Sequence, residues 1–315
     1  MTTEVTEHVG TRPGARPANG LQKFLRWFFV RARGDSPFKT ILIHATLIIA
    51  CIIAVYPVLR VVTISLRPND TLLTTDLRII PQNATLSNYK EVLFGAPEKH
   101  RSSDFFRWLW NSISVVAVTS TVSMFLAAVS AYAFSRFRFP GRAVGLVFLL
   151  TTQMIPAGML LLPLFIMLAQ LKMINTALGL VIAYSVSSVP LTIWTLKGYY
   201  DTIPVDLEEA ALIDGATRYT VFTKIILPLS TPALAIAFLF SFMGGWSEYL
   251  VARVVLQKNE MFTWPLGIFT YAQQFTVSWG QFAAASVLIA IPVMLLFLYS
   301  SKWLISGLTL GSVKG

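Results

Sequence analysis

Apolar residues fall into six long blocks separated by short polar segments, at residues 38–59, 109–134, 144–168, 177–196, 229–251 and 282–304. A helix needs roughly 20 apolar residues to cross a hydrocarbon core, so the pattern predicts six transmembrane helices. Pro57, Pro156, Pro163, Pro190, Pro232 and Pro292 lie inside these blocks. In lipid such breaks hold only where neighbouring helices satisfy the freed backbone groups, which predicts an all-α membrane bundle and not isolated spans. Ahead of the first block, residues 1–20 are rich in Thr, Gly, Pro and Arg and read as a disordered tail. Leu21, Phe24, Leu25, Phe28 and Phe29 then recur at helical spacing, with Gln22, Lys23, Arg26 and Arg33 facing elsewhere. That is a basic amphipathic helix suited to membrane lipid, or else a plain extension of the first span. The organisation expected is a tail over 1–37 and a transmembrane domain over 38–315.

Composition narrows the class. The 315 residues are 55% hydrophobic and 13% charged, about half the charge of an ordinary soluble chain. No stretch is long and polar enough for a soluble catalytic domain. The net charge of +10 is no sign of nucleic acid, because the basic residues flank apolar spans, where they set membrane topology. With both termini inside, 15 of the 25 Lys and Arg fall on the inner side, and 135–142 is strongly basic. The expected orientation is N-in, C-in. Cys51 is the sole cysteine and excludes an intrachain disulfide, and His8, His44 and His100 are too scattered to hold a metal. No G-x-x-x-x-G-K-[ST] occurs, so the chain has no phosphate-cradling loop, and no cofactor is expected.

The polar segment between the fourth and fifth blocks carries the most chemistry. Over 201–228 the residues predict two short helices joined at a glycine. Pro204 opens the first, and Asp206 offers an N-cap carboxylate. Glu208 and Glu209 lie in its first turn, where the helix dipole favours them. Gly215 supplies a left-handed stop, Thr217 caps the second helix, and Pro228 marks the return to the membrane. Leu207, Ala210, Ala211 and Asp214 share one face, giving an amphipathic docking knob.

Glu209-Ala210-Ala211, then Gly215, then Ile225 and Leu227-Pro228 resemble the EAA loop of binding-protein-dependent importer permeases. Trp110-Asn111-Ser112, the stretch from Ala131 to Gly141 and the C-terminal run from Gly307 to Gly315 are similar to the maltose/maltodextrin branch of that family. The resemblance covers nearly everything from Phe38 onward. It implies a type I ABC importer permease with its core at about 109–304 and an EAA coupling loop at 199–228. It also implies three kinds of partner: a homodimeric cytoplasmic ATPase (MalK-like), a second permease (MalF-like) and an extracytoplasmic sugar-binding protein. Glu208, Glu209, Ala210, Ala211, Asp214, Gly215 and Lys314 become the candidates for coupling to the ATPase. The aromatic loop 257–278, with Trp264, Phe269, Tyr271, Gln273, Gln274 and Phe275, corresponds to one that enters the binding protein's cleft in that family.

Polar residues inside spans are costly and mark a transport path by default. Gln153, Tyr184, Ser188, Glu248 and Tyr249 are the path candidates, with Ser185, Ser187, Trp246 and Ser247 beside them. Aromatic rings, hydroxyls and a carboxylate suit a carbohydrate, although small serines also serve helix packing and aromatics serve as interfacial anchors. The resemblance implies maltose or maltodextrin as the solute. Trehalose, another oligosaccharide and glycerol phosphate are the alternatives, and an ion-driven secondary transporter is a more distant one.

Overall fold

The computed structural model describes residues 36–68, 78–95, 102–272 and 277–311, with side chains of the last helix to Trp303. The predicted amphipathic helix at 21–33 and the C-terminal Lys314 lie outside the described residues. By its contacts the chain divides into Met1–Arg60 and Val61–Gly315. The first unit contributes helix α1 (Pro37–Ser65) as far as Arg60, an almost wholly apolar helix with Pro57 inside it.

The second unit is built of helices. They are α2 (Ser87–Phe94), α3 (Phe105–Arg136), α4 (Arg142–Gln153), α5 (Ala157–Gln170), α6 (Ala177–Tyr200), α7 (Asp206–Ile213), α8 (Arg218–Val221, continued to Leu229), α9 (Thr231–Ser247), α10 (Leu250–Val255), α11 (Trp264–Ile268) and α12 (Trp279–Gly311). Among the described residues no strand forms, only an isolated bridge between Ala272 and Val277. Four helices (α1, α3, α6 and α12) are long and apolar enough to cross a bilayer singly, and the number rises to six if each of two bent pairs is one span.

The bends in those two pairs fall at prolines of the third and fifth apolar blocks. The third apolar block forms α4 and α5, meeting at 100°. Pro156 has no N–H to donate and disfavours helical geometry at Ile155, so the helix stops at Gln153 and restarts at Ala157. At the start of the fifth block, α8 meets α9 at 75°. Pro228 cannot bond the carbonyl of Lys224, and the chain answers with a π-turn over Phe222–Ile226. Pro232 in turn cannot reach the carbonyl of Pro228, which accepts instead from the Thr231 hydroxyl at 2.8 Å. The Leu229 carbonyl at the bend accepts from Tyr199 Oη at 3.2 Å.

The centre of the unit is α3, packed against α6 and α9. Its buried positions Val116, Ser120, Ser123, Ala127 and Ala131 recur every three or four residues as one stripe of small or narrow side chains. Small residues let helices approach closely where lipid offers no hydrophobic drive for association. The core divides into two clusters along this axis. One is aromatic, with Trp108, Tyr184, Phe242, Trp246 and Trp264. The other surrounds Ala127, Ala131, Tyr132, Leu196, Tyr200, Val221 and Ile226, at the end of the bundle that carries α7.

Candidate functional site

Two features stand out, a helical knob at one end of α3 and a cavity beside its middle.

The knob is α7, a stop and α8. Glycine ends α7 as its position predicts: Gly215 takes φ +88°. The Ala216 amide bonds the Ala211 carbonyl at 2.9 Å and the Gly215 amide bonds that of Leu212 at 3.1 Å, the paired bonds of a Schellman stop. Thr217 caps α8, its hydroxyl accepting from the Thr220 amide at 3.2 Å. Asp206, expected as the N-cap of α7, does not cap it. Val205 holds that position without a side-chain bond, and Asp206 sits in the first turn beside Glu208 and Glu209.

The two glutamates point in opposite directions. Glu209 is exposed, as are Leu207, Ala210, Ile213 and Asp214 on the outer face, and Ala211 is half-buried against the core. Glu208 is 1% exposed. Its Oε2 accepts from Tyr132 Oη at 2.9 Å and its Oε1 from Arg136 Nε. Arg136 also donates to the Ile203 carbonyl at 2.9 Å and to Ser135 Oγ at 3.0 Å. Ser135 donates to Asp201 Oδ1 at 2.6 Å, and the other Asp201 oxygen pairs with Lys197. Burial pushes the Asp201 carboxyl up, but the bonds from Lys197 and Ser135 and the charges of Lys197 and Arg136 outweigh it, so its pKa lies below the usual value. Sequence reasoning missed Tyr132 and Arg136. Their signal was a basic residue in the last turn of a span, one turn beyond a tyrosine.

The cavity, of about 310 Å³, lies among α3, α5, α6 and α9. Such a volume is at the small end of the range for ligand pockets. Tyr184, Ser188 and Glu248, singled out from the sequence, all line it, together with Ser187, Thr192 and Phe240. Thr119 and Ser241 line it too, and their buried hydroxyls have no partner among the described residues. Ser188 Oγ is shared with Ser123 Oγ at 2.7 Å. Glu248 owes its place to the end of α9: after Ser247 the chain turns extended, and the carboxylate accepts from the Val251 amide at 3.0 Å, starting α10. Gln153 does not reach this cavity. It lines an adjoining one of about 630 Å³ at the α4–α5 bend and donates to the Ser187 carbonyl at 3.2 Å. Tyr249 lines neither; its ring lies 4.3 Å from Phe269. Trp246 is core, donating to the Ile289 carbonyl, and Ser247 bonds back to Met243.

In the loop 257–278, Trp264 is fully buried between Phe105 and Trp108, and Tyr271 is buried beside Trp108. Of its described aromatics Phe269 is the exposed one, and residues 273–276 lie outside the described residues.

A bundle with bent spans, a cavity among them and a polar helical knob at one end defines a polytopic membrane subunit built for transport. The chain belongs to the family described as the binding-protein-dependent transport system inner membrane component, whose profile matches residues 108–309. It is 36% identical over 290 residues to the maltose/maltodextrin transport system permease protein MalG of Salmonella typhimurium, covering 88% of this chain and 96% of that protein. It is 37% identical over 265 residues to the galactooligosaccharides transport system permease protein GanQ of Bacillus subtilis, covering 84% and 92%. Its fold matches a chain of a bacterial ABC transporter that imports the acidic polysaccharide alginate, with a TM-score of 0.71 at 23% identity, over 87% of this chain and 99% of that one.

Proposed function

We propose that the chain forms half of the translocation pathway of an ATP-driven importer for maltose or maltodextrins, and that its knob docks on a separate cytoplasmic ATPase. The observation that carries this reading is the joining of cavity and knob through one helix: α3 contributes Thr119 to the first and holds Glu208 of the second. The sugar class is supported by the likeness to MalG over 88% of the chain. The near-equal likeness to GanQ favours a galactooligosaccharide as the second reading.

In this reading the exposed Glu209, Ala210 and Asp214 meet a cleft of a homodimeric ATPase, Ala211 seats α7 on the bundle, Gly215 sets the angle of α7, and Lys314 belongs to a tail reaching the same partner. A second permease completes the pathway, and an extracytoplasmic binding protein delivers the sugar. Both termini face the cytoplasm, as does the coupling loop 199–228. The hydroxyls of Thr119, Ser188 and Ser241 and the Glu248 carboxylate exchange hydrogen bonds with sugar hydroxyls, and Phe240 offers a ring to an apolar sugar face. The bonds to the three hydroxyls are neutral and modest, so they replace water without trapping the solute, and the Glu248 carboxylate is the one charged acceptor among them.

The test is reconstitution of the chain with its ATPase, second permease and binding protein in vesicles, followed by ATP-dependent uptake of labelled maltotriose and of a labelled galactooligosaccharide. Uptake of maltotriose in preference supports the reading; preference for the galactooligosaccharide establishes the second; uptake of neither refutes both.

A further inference from the structure

We infer that Glu208 and Arg136 are positioning residues that carry the movement of α7 into α3, and so set how much solute crosses per ATP hydrolysed. The inference rests on α7 being the ATPase-docking helix. Glu208 itself touches no docking partner: it is 1% exposed, and the Arg136 side chain is 7% exposed. Each Glu208 oxygen accepts from α3, one from Arg136 and one from Tyr132. Adjacent acids thus divide the work, with Glu209 facing outward and Glu208 fastened inward.

The fastening is stiff for chemical reasons. A guanidinium is planar and presents its donors in a fixed fork. Here the fork engages three places at once: Glu208 on α7, the Ile203 carbonyl just before α7, and Ser135 on α3 itself. Ser135 then ties in Asp201 at the end of α6. Breaking one half of a buried pair leaves an uncompensated charge, so the pair resists separation more than apolar packing would. The far end of α7 is held differently, by the backbone bonds of its stop and by Ala211 and Leu212 on the core. A push on α7 therefore reaches the bundle at Arg136 as a displacement of α3.

That helix leads to the cavity. From Arg136 to Thr119 is about 25 Å of continuous α-helix at 1.5 Å per residue. On the way α3 presents Ser123, bonded to Ser188 of α6 in the cavity wall. Movement at the knob thus shifts two walls of the cavity together.

The test is made on the complete reconstituted importer, measuring sugar taken up per ATP hydrolysed in the assembled fraction. Glu208→Gln, Arg136→Gln and the double variant are compared with the unaltered complex. Each single variant is expected to assemble and hydrolyse ATP while its uptake per ATP falls about five- to tenfold, the low end of the range for coupling between sites. The double variant is expected to be no worse than either single one, since the two residues act as one unit. It also leaves no unpaired buried charge, so it reports even if a single variant assembles poorly. An uptake-to-ATP ratio equal to that of the unaltered complex in all three, with or without a lower yield of complex, overturns the inference. Failure of the unaltered complex to couple ATP hydrolysis to uptake refutes the docking reading instead.

Discussion

Gly215 stands at φ +88° with nothing within 4 Å of where a Cβ would project. The penalty for a side chain there is thus purely conformational, about 1–2 kcal/mol for the left-handed region. Gly215→Val is expected to leave membrane insertion intact but re-aim α7, so that ATPase attachment or sugar-stimulated hydrolysis falls sharply. Normal values for both would return this segment to an ordinary loop. Gly198, in α6 with equally open surroundings and ordinary helical geometry, provides the contrast: Gly198→Ala is expected to be neutral or slightly stabilising. Gly267 differs from both, because a Cβ would stand 2.2 Å from the buried Trp108 ring. Gly267→Ala is expected to cost about 1–3 kcal/mol by overpacking, seen as a lower Tm in detergent. Asp201 has a pH signature. Its folded pKa is depressed, so its bonds to Lys197 and Ser135 stabilise above the ordinary carboxylate pKa and are lost as pH falls through the lower, folded value. Asp201→Asn is expected to flatten that acid limb of a stability–pH curve. At this scale the sequence was readable where chemistry is local: Gly215 and Thr217 follow from turn rules alone. Glu208 was not readable as buried, because its partner Tyr132 is 76 positions away and an acid in a first helical turn ordinarily faces water.

Whole elements were legible by length and apolarity, but their direction was not. The blocks at 144–168 and 229–251 have the hydropathy of straight spans, and hydropathy carries no information on angle. The prolines were visible, yet a proline can kink, stop or merely bend a helix according to what satisfies the carbonyls it strands. At Pro232 the rescue is the Thr231 hydroxyl, and at Pro156 the helix simply ends. The same limit explains Tyr249 and Glu248. As neighbours in an unbroken helix both would be path candidates, but the break after Ser247 sends the carboxylate to the cavity and the ring to Phe269. Orientation is tested by reporters. One fused after Gly315 is expected on the cytoplasmic side and one inserted near Ala96 on the opposite side, and the same answer from both would break the six-span topology.

At the scale of the whole molecule, the described part of the second unit combines a cavity among its helices with a polar knob at one end. Expressed alone, the chain is expected to insert without transporting sugar or hydrolysing ATP. ATPase activity of the pure single chain would contradict this. The family was legible in the sequence through its EAA spacing, whereas the cavity had to wait for the folded bundle, since its lining comes from α3, α5, α6, α9 and α10, which are far apart along the chain. Asn175, itself at φ +57°, accepts with Oδ1 from the Gln257 amide at 2.6 Å and the Lys258 amide at 3.0 Å, and its own amide bonds the Val255 carbonyl. The turn after bent α5 and the turn after α10 are therefore one joint. Deuterium uptake at the amides of Asn175, Gln257 and Lys258 is expected to proceed in a single shared opening event, and Asn175→Ala to release all three together.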